Sequence, residues 1–296
     1  FLDDLAHKTF LYFAENVNAN GLIPDRVSVI NGQPSPGAVF STGATGFWLA
    51  SLPIAAERGW MTQAEAQNAA RRTLQFYLGE QGGPVEGHRG FYHHFLNGDG
   101  TRFTGFGDDG VSTIDSTILF MGALACGEYF GGDIETLAMT LYNRADWEGF
   151  YDHGMNLLYQ VWTPSHGFGR HIDYTSEGIL AYLLAAGSTT HPIASDPDLP
   201  GGGADAYYAY SRGNYGRILG RFGRDGRPLL QSYFGSLFTY LYPSLLMDSG
   251  GLRDAFYFNW EENTREAILA NFRFAQDHPE AGYSRLYWGL SASDGP

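Results

Sequence analysis

Cysteine is almost missing from this sequence. Cys126 stands alone among 296 residues, which leaves no internal disulfide and no cysteine-based zinc site. Basic residues are also scarce: 18 Lys and Arg face 32 Asp and Glu, a formal charge of -14. A field of that sign repels phosphate backbones and anionic lipid, so nucleic-acid binding and a basic membrane anchor are excluded. No run approaches the ~20 apolar residues of a membrane span, and no membrane insertion is expected. The sequence also lacks H-E-x-x-H, G-x-S-x-G, a Walker A lysine motif, and G-x-G-x-x-G between a strand and a helix. Zinc, serine-hydrolase, phosphoryl-transfer and dinucleotide redox chemistry therefore lose their main support, and neither a metal nor a cofactor is expected. The chain begins at Phe1 with no initiator Met or leader-like stretch, so a processed or excised segment is expected.

What is abundant is aromatic residues, at 16%, and glycine, at 40 residues. Rings offer apolar faces that suit sugars, although an aromatic-rich core explains them equally well. Helical periodicity is clearest at Leu2–Asn16, Thr42–Arg58, Thr62–Leu78, Ser112–Phe130, Ile134–Arg144, Ser176–Ala186, Phe234–Met247 and Glu261–Gln276. Thr62 with Glu65 forms a capping-box pattern, and Gly187 is a good helix stop. Segments apolar all round alternate with amphipathic ones: Thr42–Arg58 with Thr62–Leu78, Ser112–Phe130 with Ile134–Arg144, and Phe234–Met247 with Glu261–Gln276. An apolar helix is buried on both sides and an amphipathic one covers it. The expectation is an all-α chain of inner and outer helices, an α/α barrel, with a simple bundle as the alternative. Gly-rich links before the inner helices (30–43, 98–110 and 167–174) would gather at one rim, where sites are built. One β-hairpin is expected, Gly90–Leu96 with Thr101–Phe106, turning at Asn97–Gly100. No composition shift marks a domain boundary, so 1–296 is expected to be one domain.

Glu177 is the acid of greatest interest. It opens an apolar helix behind a loop that holds Trp162, His166, Arg170, His171 and Tyr174. A carboxyl among aromatics is desolvated and stays protonated more readily, as a general acid must, while the helix N-terminus opposes this. Asp115 falls in the first turn of the helix capped by Ser112 or Thr113, where the dipole favours an anion. That explanation carries about the same weight as a catalytic one. Asp108 and Asp109 precede the helix on a Gly-rich loop. Acids at the mouths of two inner helices supply the carboxylate pair that glycoside hydrolysis needs. His93 and His94 are adjacent on a strand, point to opposite faces, and cannot easily bind one metal.

Several stretches carry a resemblance: Thr45-Gly46-Phe47 with Glu57-Arg58-Gly59-Trp60, Gly90–Leu96, and Ser112-Thr113-Ile114-Asp115. Trp162-Thr163-Pro164, Tyr182–Ser188 with His191-Pro192, and Trp288–Pro296 follow in the same order. Together they resemble the glucoamylase-like family of α/α-barrel proteins, which is similar to endo-β-1,2-glucanases and to the transglycosylating domain of cyclic β-1,2-glucan synthases. The resemblance implies an (α/α)6 toroid-type barrel with a carbohydrate cleft at one rim. Its function would be a glycoside hydrolase or transglycosylase on a β-glucan, β-1,2-linked, in a periplasmic or secreted setting. Its partner would be an oligo- or polysaccharide. The family's glutamate maps onto Glu177 and its aspartate onto Asp115, with Asp109 as a further acid. Trp48, Tyr92, Trp162, Tyr174 and Trp288 would stack on sugar, and His94, Arg170 and Asp294 would add polar contacts. Three departures accompany the match. Gly110 stands where many relatives carry a glutamate, which implies a lost or displaced acid. Tyr240–Ser244 replaces a polar stretch. Relatives continue for several helices beyond Pro296, so the barrel is expected to be incomplete at the C-terminus. A non-catalytic glycan-binding or scaffold protein on the same barrel is the alternative. A polysaccharide lyase is a third reading, one that a strongly acidic protein suits poorly.

Overall fold

The computed structural model describes residues 1–31, 33–80, 85–107, 109–173, 177–193, 230, 232, 236–248, 250–251 and 259–289. Contacts divide the chain into two compact units. The first comprises Phe1–Phe150, Tyr159–His171 and Ser188–Pro192, and the second Tyr151–Leu158, Ile172–Gly187 and Ile193–Pro296.

The first unit holds helices α1 (Leu2–Asn16), α2 (Thr42–Glu57), α3 (Gln63–Leu78), α4 (Thr113–Phe130) and α5 (Gly132–Asn143). α2 packs along α4, α3 against α2 and α5, and α5 against α4. The helices that are apolar on all faces thus meet each other, and the amphipathic ones lie over them. α2 and α4 come close because glycine faces glycine. A Cβ on Gly46 would stand 2.5 Å from the Ile118 backbone, and one on Gly122 would run into the Gly46 carbonyl oxygen. The core beside this crossing is aromatic. Phe91 packs its ring edge-on to Trp147 at 4.9 Å and tilted on Phe150 at 4.3 Å. α3 begins at Thr62, whose hydroxyl accepts from Glu65 N–H while Glu65 accepts from the Thr62 backbone. It ends at Gly79, whose φ of +84° a side chain would strain.

Short strands rather than one hairpin connect the helices. Phe40–Ser41 pairs with both Ile23–Pro24 and Phe95–Leu96, and Val111–Ser112 pairs with Val161–Thr163, which also pairs with Gly167–Phe168. The expected hairpin survives only near its turn, as a Leu96–Arg102 bridge. Its first arm is drawn off by other partners, Phe91–Tyr92 by Gly87–His88 and Phe95–Leu96 by Phe40–Ser41. The expectation of an otherwise all-α chain is corrected accordingly: small two- and three-stranded sheets accompany the helices.

The second unit contains the hairpin Tyr151–Asp152 with Leu157–Leu158 and helices α6 (Ile179–Gly187), α7 (Phe238–Leu246) and α8 (Trp260–Asp277). The buried Tyr182 hydroxyl ties α6 to this hairpin, accepting from Leu158 N–H and donating to Ile172 O, both at 2.9 Å. On α8, Asn263 pairs with the Leu230 backbone in both directions, which satisfies a side chain only 4% exposed. No helix among the described residues is long and apolar enough to cross a membrane.

Candidate active site

The site in the first unit is assembled by one short extended segment lying between the starts of two helices. Ser41 caps α2, and Ser112 caps α4 by accepting from Asp115 N–H at 3.2 Å. Between these two beginnings runs His93–Leu96. His93 bridges Val111, His94 N–H donates to Gly110 O at 3.1 Å, and His94 O accepts from Thr42 N–H at 3.1 Å. Backbone bonds on both sides therefore fix His94 relative to both helices.

Its imidazole lies between two carboxylates. Nδ1 is 3.7 Å from Asp109 Oδ1 and Nε2 is 3.7 Å from Asp115 Oδ1. At that length the contacts are ion pairs rather than hydrogen bonds. The ring also stacks on Phe95, centroids 3.7 Å apart. Each carboxylate is held separately. Asp115 Oδ2 accepts from Ser112 Oγ at 2.5 Å, and Asp109 Oδ2 accepts from Phe95 N–H at 3.3 Å. Asp115 Oδ1 occupies space that only a glycine at 43 leaves open, because a Cβ there would stand 2.5 Å away. Partial burial alone would lower the His94 pKa, but Asp115, Asp109 and Asp25 outweigh it and lift the imidazole to about 9. Its neighbour His93 faces the interior at 4% exposure, and burial, helped by Arg102, pushes its pKa down. Below the site, Tyr77 and Tyr92 meet edge to face at 4.9 Å, and burial lifts the Tyr77 phenol to about 12.

Of the residues singled out from the sequence, the structure brings Asp109, Asp115 and His94 together. Gly110 is backed by Val161 and by Trp162 O, 2.6 Å from where its Cβ would lie. No side chain fits there, and the acid that reaches His94 comes from Asp109. Trp162 sits in the strand beside Val111–Ser112, half-buried, its ring flat against His88 at 3.8 Å and 4°. Arg170 is exposed in the same unit. Two expectations are corrected. Trp48 is 1% exposed and stacks on Phe10, and Tyr92 is 5% exposed with its hydroxyl on Tyr77 O, so both rings belong to the core and offer no face to a sugar. In the second unit, Glu177 is half-buried with Oε2 shielded from solvent, and its carbonyl accepts from Leu180 N–H at 3.1 Å. It stands just before α6 rather than inside it. Trp288 is 38% exposed beside Phe272. Tyr174, Asp294 and Asp108 lie outside the described residues. Sequence reasoning missed Ser112 as the partner of the Asp115 carboxylate, although the Ser-x-x-Asp capping spacing was the available signal. Nothing in the sequence pointed to Asp25. Among the described residues, no group of three or more His, Cys, Asp or Glu is disposed to hold a metal ion.

Residues 170–296 match the Glycoamylase family model, described as "Putative glucoamylase". Over 99% of its length the chain is 24% identical to an exo β-1,2-glucooligosaccharide sophorohydrolase (non-reducing end) of Parabacteroides distasonis, of which it spans 42%. The chain thus covers about two fifths of the curated relative it matches. Among solved structures, an endo-β-1,2-glucanase from Chitinophaga pinensis in complex with sophorotriose and glucose superposes with a TM-score of 0.82. The identity is 25%, covering 99% of this chain and 71% of that one. A "putative glucoamylase" from Bacteroides uniformis gives the same TM-score at 26% identity, covering 99% of this chain and 70% of that one. In fold, and in the matched C-terminal stretch of its sequence, this chain is similar to the glucoamylase-like proteins, endo-β-1,2-glucanases among them.

Proposed function

We propose that this chain is the body of a glycoside hydrolase or transglycosylase acting on a β-1,2-linked glucan, built on an (α/α)6 barrel to which the inner and outer helices of the first unit contribute. The observation that carries the reading is the Asp109–His94–Asp115 arrangement at the starts of α2 and α4, in a chain whose relatives act on β-1,2-glucans. Two fixed carboxylates can hold sugar hydroxyls or take a proton from water. Asp115 or Asp109 is assigned the water-activating role. Glu177 is assigned the proton donor's role, which its match to the family's glutamate implies. Trp162, Arg170, Tyr174, Trp288 and Asp294 remain the proposed sugar contacts. A periplasmic or secreted home goes with such a substrate.

Reducing-sugar release from linear β-1,2-glucan tests the proposal. Glu177→Gln should lose activity by about 100-fold or more, in the range for a general acid, with an unchanged circular dichroism spectrum. A folded Glu177→Gln protein that turns over like the wild type would remove Glu177 from the mechanism.

A further inference from the structure

The two carboxylates of the site would repel each other if nothing stood between them. What stands between them is His94, equidistant from Asp109 and Asp115 at 3.7 Å on opposite ring nitrogens. The ring lies on Phe95, and its backbone is bonded on one side to the α2 start and on the other to Gly110. We propose that His94 is a positioning residue: its imidazolium links Asp109 to Asp115 and holds both carboxylates at the spacing the reaction uses, without itself touching the bond that breaks. This rests on the hydrolase reading above for the word reaction, but the electrostatic link stands apart from any substrate.

The surroundings support a charged ring. The charged groups that face it are Asp115 from α4, Asp109 from the loop before α4, and Asp25 from the segment after Ile23–Pro24. Among the described residues no cation is one of them. Ser112 and the Phe95 amide each hold the oxygen of a carboxylate that His94 does not use. One oxygen of each acid is thus fixed by the fold and the other by His94. Replacing the ring with a neutral group would leave each carboxylate a single anchor, free to rotate. Misplacement of a reacting group by about 1 Å costs on the order of 100-fold in rate, and the loss falls on kcat rather than on binding.

Two measurements test this. The first needs no substrate: titration of the His94 ring by NMR in the wild type, Asp109→Asn and Asp115→Asn proteins. The expected midpoint is about 9 in the wild type, with a drop of about one unit or more in each variant. An ordinary midpoint in the wild type, or one unmoved by both variants, would overturn the proposal even if the enzyme is active. The second is kinetic. His94→Asn should lower kcat by about 10- to 100-fold with KM changed less than about threefold, and His94→Lys, which restores a cation, should recover part of the loss. Wild-type kcat should fall as pH rises through about 9, and His94→Asn should lack that limb. A variant with full kcat, or one that keeps the alkaline limb, would overturn the positioning role. If no β-glucan is cleaved while the ring titrates high and responds to both acids, the hydrolase reading fails and the link survives.

Discussion

A methyl group added to Gly122 should loosen the junction on which the site is built. Gly122 of α4 lies against Gly46 of α2, and an alanine Cβ there meets the Gly46 carbonyl oxygen, with the Leu49 Cβ at 3.1 Å. Neither contact is the tip of a flexible side chain, so the helices must separate. Alanine gains about 1 kcal/mol over glycine in helix propensity. Overpacking costs about 1–3 kcal/mol, and more where backbone must move. The balance for Gly122→Ala is a net loss of about 2 kcal/mol, or roughly 3–4 °C in melting temperature for a chain of this size. Gly127, one turn and more along α4, is the internal control. A Cβ there would stand 3.1 Å from Ala138 Cβ and 3.2 Å from Glu135 Cα. A shift of a few tenths of an ångström accommodates it, and the propensity gain offsets the cost. Tryptophan fluorescence during thermal unfolding reads both variants, because Trp48 and Trp147 are buried in this unit. Separation of the helices would also draw Asp115 away from Gly43, so Gly122→Ala should lose activity below its melting point while Gly127→Ala keeps it. A Gly122→Ala protein as stable as the wild type, or a Gly127→Ala protein destabilised equally, would refute the reasoning.

Two further outcomes are expected. Ser112→Ala removes both the α4 cap and the partner of Asp115 Oδ2, so it should cost about 1 kcal/mol of stability in urea unfolding and lower kcat, and Ser112→Thr should restore most of both. The His94 pKa is raised on folding from 6.5 to about 9, so its contribution is fully present below 6.5 and is lost as pH rises through about 9. The side chain is 37% exposed, and solvent screening leaves that contribution at about 1 kcal/mol. The stability gap between wild type and His94→Asn should therefore narrow by that amount across this window in urea titrations, and a constant gap would contradict it.

What the sequence made legible was local. The limits of α1 and the capping box of α3 follow from short-range patterns that any backbone reads in the same way, and both are found where expected. Ser112 as the cap of α4 with Asp115 in its first turn is of the same kind. What stayed hidden was non-local. The hairpin at Asn97–Gly100 turns as expected, but its first arm pairs with Phe40–Ser41, more than fifty residues away, and no turn signal encodes that choice. The aromatic residues fail for a related reason. Trp48 and Trp162 are equally suited to stack on a sugar by type. Only packing decides that Phe10 covers the first while the second stays half-open beside His88. The expected start of α6 at Ser176 was three residues early, because Glu177 and Gly178 form a turn whose carbonyls accept from Leu180 and Ala181 N–H before the helix begins at Ile179.

The paired histidines show how much of the site is carried by backbone register. His93 and His94 are the same residue type, one peptide apart, yet one has its pKa pushed down in the interior and the other has its raised among three aspartates. The difference is set by backbone register: His93 bridges Val111, and His94 lies in the bend between Phe91–Tyr92 and Phe95–Leu96. A slip of one residue would carry His94 out from between Asp109 and Asp115. Two bonds prevent this, Thr42 N–H to His94 O and His94 N–H to Gly110 O. The second requires close approach of a residue that cannot carry a Cβ, since Val161 and Trp162 O already fill that space. Gly110 therefore does more than leave a gap where an acid might have been. It lets the Val161–Thr163 strand close against Val111–Ser112, it holds His94 in register, and through His94 it places the acid one residue before it.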